Sequence, residues 1–511
     1  MSSKEKSHTL WRVIMFINLI VTMILLVVIR DGYNGQHIVT RINSNCKINE
    51  VPFPAVSICN YNLVSNKRSQ NIQSILKSSN VSGSDIELFL QSLPNLVDYR
   101  NSNGHTSDFD HILRVLKKHY FNIDTIMEEV HQRCEDLLLY CSFNRKPMIC
   151  TDMFRLVKTF EGHCCTFNYV ALNDDSVENV LPDKDHEHYE DTESDHKHSE
   201  IIITAESGRG SGLLVVFNVE PSDYPPWALT QTYGAKVLIN DPNDYPEYSV
   251  IYKRVYTEIS LDIKVQPSVF DADESLRSIP NAYRGCAFHD EIELKHTDRY
   301  SWETCKTECK MRSYLKYCGC VPYKYPQEAT PRICEFKDLR CLNNFRAKKL
   351  SSELCEPLCY QECRDKQYRV TNNIMPLVAD LYPDDVMNNR NASELTALQV
   401  YFDRPTCNCY KKMLLMDFIS IIATYGGIFS LGFGASLHTL FEVAFLTHLH
   451  GEGMRRSRAT RRSRHVTKLR LSACAPNIPG PGYHYSPSSC PDTSSSASIT
   501  QRVHLQASYL C

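Results

Sequence analysis

Apolar and polar positions follow three different patterns along the chain. Near the start, Val13 to Ile29 holds no charged residue and lies between Trp11-Arg12 and Arg30-Asp31. A bilayer-crossing helix takes ~20 largely apolar residues, and this run with its flanks is long enough. A secretory leader would have a shorter apolar run and then small residues at a cleavage site. Arg30-Asp31-Gly32-Tyr33-Asn34 follows instead, so the expectation is an uncleaved helix over 11–30. Near the other end, Met413 to Leu446 is again long and apolar, with Asp417 and Glu442 as its acidic residues. The long middle alternates between strand-like and helix-like periods.

In that middle, Ile38 to Ile42 reads as extended. Phe53-Pro54-Ala55-Val56-Ser57-Ile58-Cys59-Asn60 alternates β-branched residues behind a proline, which predicts an edge strand. From Asn71 to about Tyr140 the pattern is helical. Ser84-Asp85-Ile86-Glu87 forms a capping box before Leu88-Phe89-Leu90. Ile112, Leu113 and Leu116 recur at helical spacing, as do Ile123, Ile126 and Val130. Ile201 to Thr204 and Leu213 to Phe217 flank Gly208-Arg209-Gly210-Ser211-Gly212. A phosphate-binding loop would need a helix after it, so the reading is a hairpin turn between two strands. Further strands fall at Lys236 to Ile239 and Ser249 to Tyr252. The fold class is α+β, with strands at both ends of the middle portion and helices inserted between them.

Charge fixes a topology. Lys4, Lys6 and Arg12 precede the first apolar run, and Arg455, Arg456, Arg458, Arg461, Arg462, Arg464, Lys468 and Arg470 follow the second. Positive residues outside both helices predict that both termini are cytoplasmic. The expected division is a head over 1–10, a first membrane helix over 11–30, an extracellular domain over 31–412, a second membrane helix over 413–447 and a basic, then Ser/Pro-rich, tail over 448–511. The chain has 22 cysteines; all but Cys474, Cys490 and Cys511 lie between Cys46 and Cys409, as an oxidising exterior would favour. Asn80-Val81-Ser82 and Asn391-Ala392-Ser393 are glycosylation sequons on that side. The net charge of −3 gives no basic field for nucleic acid. The tail's arginines serve as the topology signal, with anionic lipid headgroups as a second reading, and Ser457 and Ser463 among them are weak phosphorylation candidates. Asp183 to Glu200 contains His186, His188, His196 and His198; it reads as a solvated acidic loop, with zinc or proton sensing as the sharper alternative.

Ten cysteines crowd together: Cys286, Cys305, Cys309, Cys318, Cys320, Cys334, Cys341, Cys355, Cys359 and Cys363. Ser301 caps a helix starting at Trp302, and Gly319 ends it. Cys305 and Cys309 share one face of that helix, and Cys355 and Cys359 have the same spacing. If the two segments run antiparallel, Cys305 meets Cys359 and Cys309 meets Cys355. Zinc at Cys318-Gly319-Cys320 is the alternative; disulfides are favoured, and no metal site is expected.

The second apolar segment has more glycine than an anchor needs: Gly426, Gly427, Gly432 and Gly434, followed by Ala435 and Ser436. Small residues let helices approach closely. Backbone that leaves the helix at membrane depth is tolerated where it lines water, and a ring of its carbonyls replaces cation hydration. Asp417 and Glu442 then lie at the two ends of a pore, since charges in membrane segments mark ion paths. A dimerisation face on a two-pass receptor is the rival. An enzyme is not expected, because HExxH, Gly-x-Ser-x-Gly and Walker sequences are missing, and no cofactor is called for.

Together these residues resemble the degenerin / epithelial sodium channel family. Phe53 to Asn60 resembles its signature after the first helix. Gly162-His163-Cys164-Cys165-Thr166-Phe167-Asn168 resembles its Cys-Thr-Phe-Asn strand. The doubled cysteine, with Arg284-Gly285-Cys286 through Cys318-Gly319-Cys320-Val321-Pro322, is similar to the insect pickpocket branch. Leu398-Gln399-Val400-Tyr401-Phe402 resembles the strand leading into the pore helix, and Gly426-Gly427 with Gly434-Ala435-Ser436 and Glu442 resembles the pore signature. The resemblance implies a plasma-membrane, amiloride-blocked, sodium-selective channel, a homo- or heterotrimer with related subunits around one pore. Its ectodomain would be built like a hand gripping a ball. Gly434-Ala435-Ser436 would be the selectivity filter and Ala423 the position where bulky residues hold degenerins open. Cys59 would pair with Cys165 or its neighbour Cys164. The ten-cysteine cluster would pair Cys286–Cys363, Cys305–Cys359, Cys309–Cys355, Cys318–Cys341 and Cys320–Cys334. The chain departs from the family in having Ser7-His8-Thr9 instead of a His-Gly motif, and in Ser430, Gly432 and His438. An accessory subunit that needs partners is the alternative these departures leave, beside the non-conducting receptor.

Overall fold

The structure is a computed structural model describing residues 3–35, 38–99, 109–170, 201–228, 232–326, 331–347, 355, 358–378, 381–383, 386, 391–415, 418–434, 438–439, 441–448 and 450. Asp183 to Glu200 and the tail beyond 450 lie outside the described residues. Two compact units result, one of Leu25–Ala423 and one drawn from Met1–Ile24 and Thr424–Cys511.

The first apolar run lies within helix α1 (Ser3–Gly35). Phe16, Ile24 and Val28 along it are 64%, 56% and 61% exposed. Among the described residues no helix is long and apolar enough to cross a membrane.

Next come β1 (Ile38–Lys47), β2 (Ala55–Asn60) and a helical stretch: α2 (Asn66–Ser78), α3 (Gly83–Ser92), α4 (Asp110–Lys118), α5 (Ile123–Glu129) and α6 (Cys134–Leu137). They are followed by β3 (Leu138–Phe143), β4 (Lys146–Met148), α7 (Cys150–Met153), β5 (Phe154–Thr159), β6 (Gly162–Phe167), β7 (Leu213–Asn218), β8 (Gly234–Asn240), β9 (Ile251–Tyr256) and β10 (Ile259–Ala272). A second helical region holds α8 (Asn281–Arg284), β11 (Cys286–Ala287), α9 (Trp302–Cys318) and α10 (Leu339–Ala347). The chain returns through β12 (Gln361–Glu362), β13 (Asp365–Pro376), β14 (Leu395–Phe402) and β15 (Thr406–Leu414) to α11 (Phe418–Phe433).

The strands form two large sheets. One has eight strands in the order β1-β15-β10-β14-β7-β3-β4, with β13 added on β10; the other runs β5-β6-β2-β8-β9. β10 joins the first sheet together: Ser260–Val265 pairs in parallel with β14, and Ser268–Ala272 pairs in parallel with β15. Between the sheets, Phe53 meets Phe143, Phe167 and Phe402 edge-on at 5.3, 5.9 and 5.4 Å. The helical region has its own core, in which Phe109 packs on Phe89 and Phe336 at 5.5 and 4.8 Å. Ile112, Leu113, Leu116, Ile123, Ile126 and Val130 all point into it.

Four sequence expectations need correction. β2 is not an edge strand: it lies between β6 and β8, and all six of its residues are buried. Pro54 precedes the first paired residue, so its missing N–H costs the ladder nothing. The cap of α3 is Ser82, not Ser84; its Oγ accepts from Asp85 N at 3.1 Å. Residues 201–204 form no strand with β7 but a single bridge, Pro52 to Ile203. β7 is nearly all buried and takes β3 and β14 as neighbours, which satisfies both its edges. Leu398 to Phe402 lies in β14, one strand earlier than expected; β15 is the strand that leads into α11.

Candidate functional site

β1 and β15 pair antiparallel with Ile38 opposite Leu414 and Cys46 opposite Cys407. α1 ends at Gly35 just before β1, and α11 starts at Phe418 just after β15, so the β1–β15 strand pair, the ribbon, links both apolar helices to the first sheet. Phe270 of β10 stacks on Tyr410 at 5.0 Å. Lys411 lies 4.0 Å from Asp271 and 3.6 Å from Asp273. β10 is therefore tied to the ribbon through the sheet and these contacts.

In α11, Ala423, Gly426 and Gly427 are exposed. Gly434 ends the helix with φ +64°, its N–H donating to the Ser430 carbonyl at 2.8 Å. A left-handed residue at this point favours glycine, which has no Cβ to clash. Glu442 and His438 face each other one turn apart at 3.5 Å, both exposed. Asp417, Ala435 and Ser436 lie outside the described residues.

α9 is a stapled rod. The Ser301 Oγ accepts from Thr304 N at 3.1 Å, and Gly319, at φ +69°, closes the helix onto the Leu315 carbonyl. Cys305 bridges to Cys359 and Cys309 to Cys355, with Cα atoms 5.8 and 5.6 Å apart. Cys286–Cys363, Cys318–Cys341 and Cys320–Cys334 complete the set. Cys318 and Cys320 are thus used in bridges, which leaves no thiolates there for zinc.

The Cys59 expectation named Cys165 first; its partner is Cys164. The register decides this. Ile58 lies opposite Cys165, so Cys59 lies opposite Cys164, and the two share a face. Cys165 faces the other way and bridges Cys134. Cys141 pairs with Cys150. Both sequon asparagines, Asn80 and Asn391, are exposed.

Sequence reading missed one feature. A cavity of about 340 Å³ opens between β8, the start of α9 and the β12–β13 turn, lined by Asp241, Asp244, Trp302, Glu303, Glu362 and Asp365 among others. Burial, then the neighbouring Asp365, pushes the Glu362 carboxyl up to about 8, although Trp302 N donates to it at 3.1 Å. Burial also raises Asp365 and, with Asp241 next, raises Asp244 well above the carboxylate range. His289 lies 3.5 Å from Glu362, and burial lowers its own pKa. Burial therefore favours the protonated form of these carboxyls. Asp241 and Glu362 are far apart in sequence, and only the fold brings them together.

Residues 1–446 match the family model described as amiloride-sensitive sodium channel. The sodium channel protein Nach of Drosophila melanogaster is 24% identical over 448 residues, covering 86% of this chain and 81% of that protein. Pickpocket protein 28 of the same species is 28% identical over 422 residues, 77% of this chain and 66% of the relative. Epithelial sodium channel subunit gamma of Pelodiscus sinensis is 22% identical over 357 residues, 64% of this chain and 48% of the relative.

Proposed function

The chain belongs to the amiloride-sensitive sodium channel family, a family of ion channels and not of enzymes, and on that premise we propose that it is a pore-forming subunit of a trimeric, sodium-selective, amiloride-sensitive channel of the plasma membrane. The observation that carries this reading is the ribbon: one pair of strands runs directly on to α1 and to α11. Both helices expose apolar side chains, such as Phe16, Val28, Ile419 and Ile422, which water disfavours and lipid accepts.

In this reading α1 and the segment from Phe418 to Leu446 cross the bilayer and both termini are cytoplasmic. Gly434-Ala435-Ser436 forms the filter, where a chain leaving the helix at Gly434 turns carbonyls toward sodium. Gly426 and Gly427 let neighbouring helices close on the pore axis, Ala423 faces the gate, and Asp417 and Glu442 draw cations to its two ends. The stapled α9 region acts as the lever, and β10 passes its movement to the ribbon. The subunit assembles with copies of itself or with related subunits.

Whole-cell current from cells expressing the chain with Ala423→Val tests this. The expected result is a sodium leak blocked by amiloride, with its selectivity altered by Ser436→Cys. Absence of current from a surface-delivered chain, alone and with related subunits, would overturn the pore-forming role.

A further inference from the structure

From Cys46 to Cys409 the chain has 19 cysteines, an odd number. Eight bridges take sixteen of them. Cys46, Cys407 and Cys409 remain, with their sulfurs all within 4.8 Å of one another. A sulfur makes only one disulfide. The Cys46 Cα lies 5.1 Å from that of Cys407 and 5.8 Å from that of Cys409, and both separations suit a bridge. Cys407 and Cys409 are two residues apart on β15 and so share one face of it. β1 has an irregularity at this point: Asn43 pairs with Cys409 while Cys46 pairs with Cys407, one residue more on β1 than on β15. That bulge sets Cys46 within reach of both.

We propose that these three cysteines form a disulfide-exchange site, in which Cys46 alternates between Cys407 and Cys409. Starting from Cys46–Cys407, the Cys409 thiol gives its proton to solvent. Its thiolate attacks Cys46 Sγ, and the Cys46–Cys409 bond forms as Cys46–Cys407 breaks. Cys407 leaves as a thiolate and takes up a proton. One disulfide and one thiol exist before and after, so the step consumes neither oxidant nor reductant. The two states differ in the thiol they free: Cys409 is half-buried and Cys407 is buried. They also tie β1 to points about 7 Å apart along β15, two residues of strand. The tie lies in the ribbon that continues into α1 and α11, so exchange changes the strand pair that both helices leave from.

The test is thiol mapping on the full-length protein taken from membranes. Free thiols are trapped with N-ethylmaleimide in acid denaturant, the bridges are then reduced, and the released thiols receive an isotopically heavy label. Fragment ions on either side of Asn408 separate Cys407 from Cys409. The expected result is heavy label on Cys46, and first label shared between Cys407 and Cys409 in fractions that sum to one. In Cys407→Ser and in Cys409→Ser, Cys46 should still carry only heavy label, since each variant keeps one bridge. Exchange should speed up about tenfold per pH unit below the thiol pKa, because the thiolate attacks. First label on Cys409 alone would overturn the proposal, since the bridge is then fixed. First label on all three cysteines, or a disulfide-linked dimer through the odd thiol, would overturn it too. The readout is the sulfurs alone, so the result is independent of whether the chain conducts.

Discussion

Along α9 every cysteine has one partner, whereas at the β1–β15 ribbon three sulfurs share one bridge. The α9 bridges add to a helix that buries Met311 and Tyr314 in the helical core. Cys305 and Cys309 lie on one side of it, so two bridges set both its tilt and its rotation. At the ribbon, a continuous ladder from Ile38 to Asn43 already holds the strands, and the bridge closes only its far end. The same chemistry therefore makes one region rigid and leaves the other with two ways to close.

The largest test of this contrast removes a rung of the lever. Replacing Cys309 and Cys355 together with alanine should cost about 2–5 kcal/mol, seen as a fall in the melting temperature of the purified full chain and a loss of surface delivery. Next is pH, acting at the carboxyl cavity beside the foot of α9. Glu362 sits at about 8 in the fold and at 4.5 ordinarily, so between those values the folded chain holds more protons than the unfolded one. Stability should then fall as pH rises from 4.5 to 8, by at most about 1.4 kcal/mol per pH unit, and Glu362→Gln should flatten that slope. His131 and His163 act in the opposite sense. Burial is the main reason each is lowered to about 3 from 6.5, so they take stability away as pH falls through that window. Melting curves across pH 4 to 9 separate the two slopes. A smaller effect is expected from Ser301→Ala, which strips the cap of α9 and should cost about 1 kcal/mol. The smallest should come from Cys409→Ser: with Cys46–Cys407 intact, stability should stay within about 0.5 kcal/mol. A larger loss there would mean that Cys409 carries the bridge.

Much of the middle domain was legible because local rules act there. Ser301 and Gly319 mark the ends of α9 by what their own atoms do to a helix end. Ile112, Leu113 and Leu116 declare a buried face by spacing alone. The edge-strand expectation for β2 failed because proline signals only where a ladder cannot form; it says nothing about strands arriving later from residues 162–167 and 234–240. The hairpin expectation failed in the same way. Two apolar runs around a glycine turn look like partners, yet β7 took neighbours from residues 138–143 and 395–402.

The sequence by itself determined the two apolar helical segments, the family and the helical spacing that brings Cys305 and Cys309 to one face. These rest on interactions a few residues apart or on composition. Tertiary structure decided which sulfur Cys59 meets, which carboxyls share a cavity and which thiol is left over at the ribbon. Each of these depends on strand register and on closing loops of a hundred residues or more, and no local pattern encodes that.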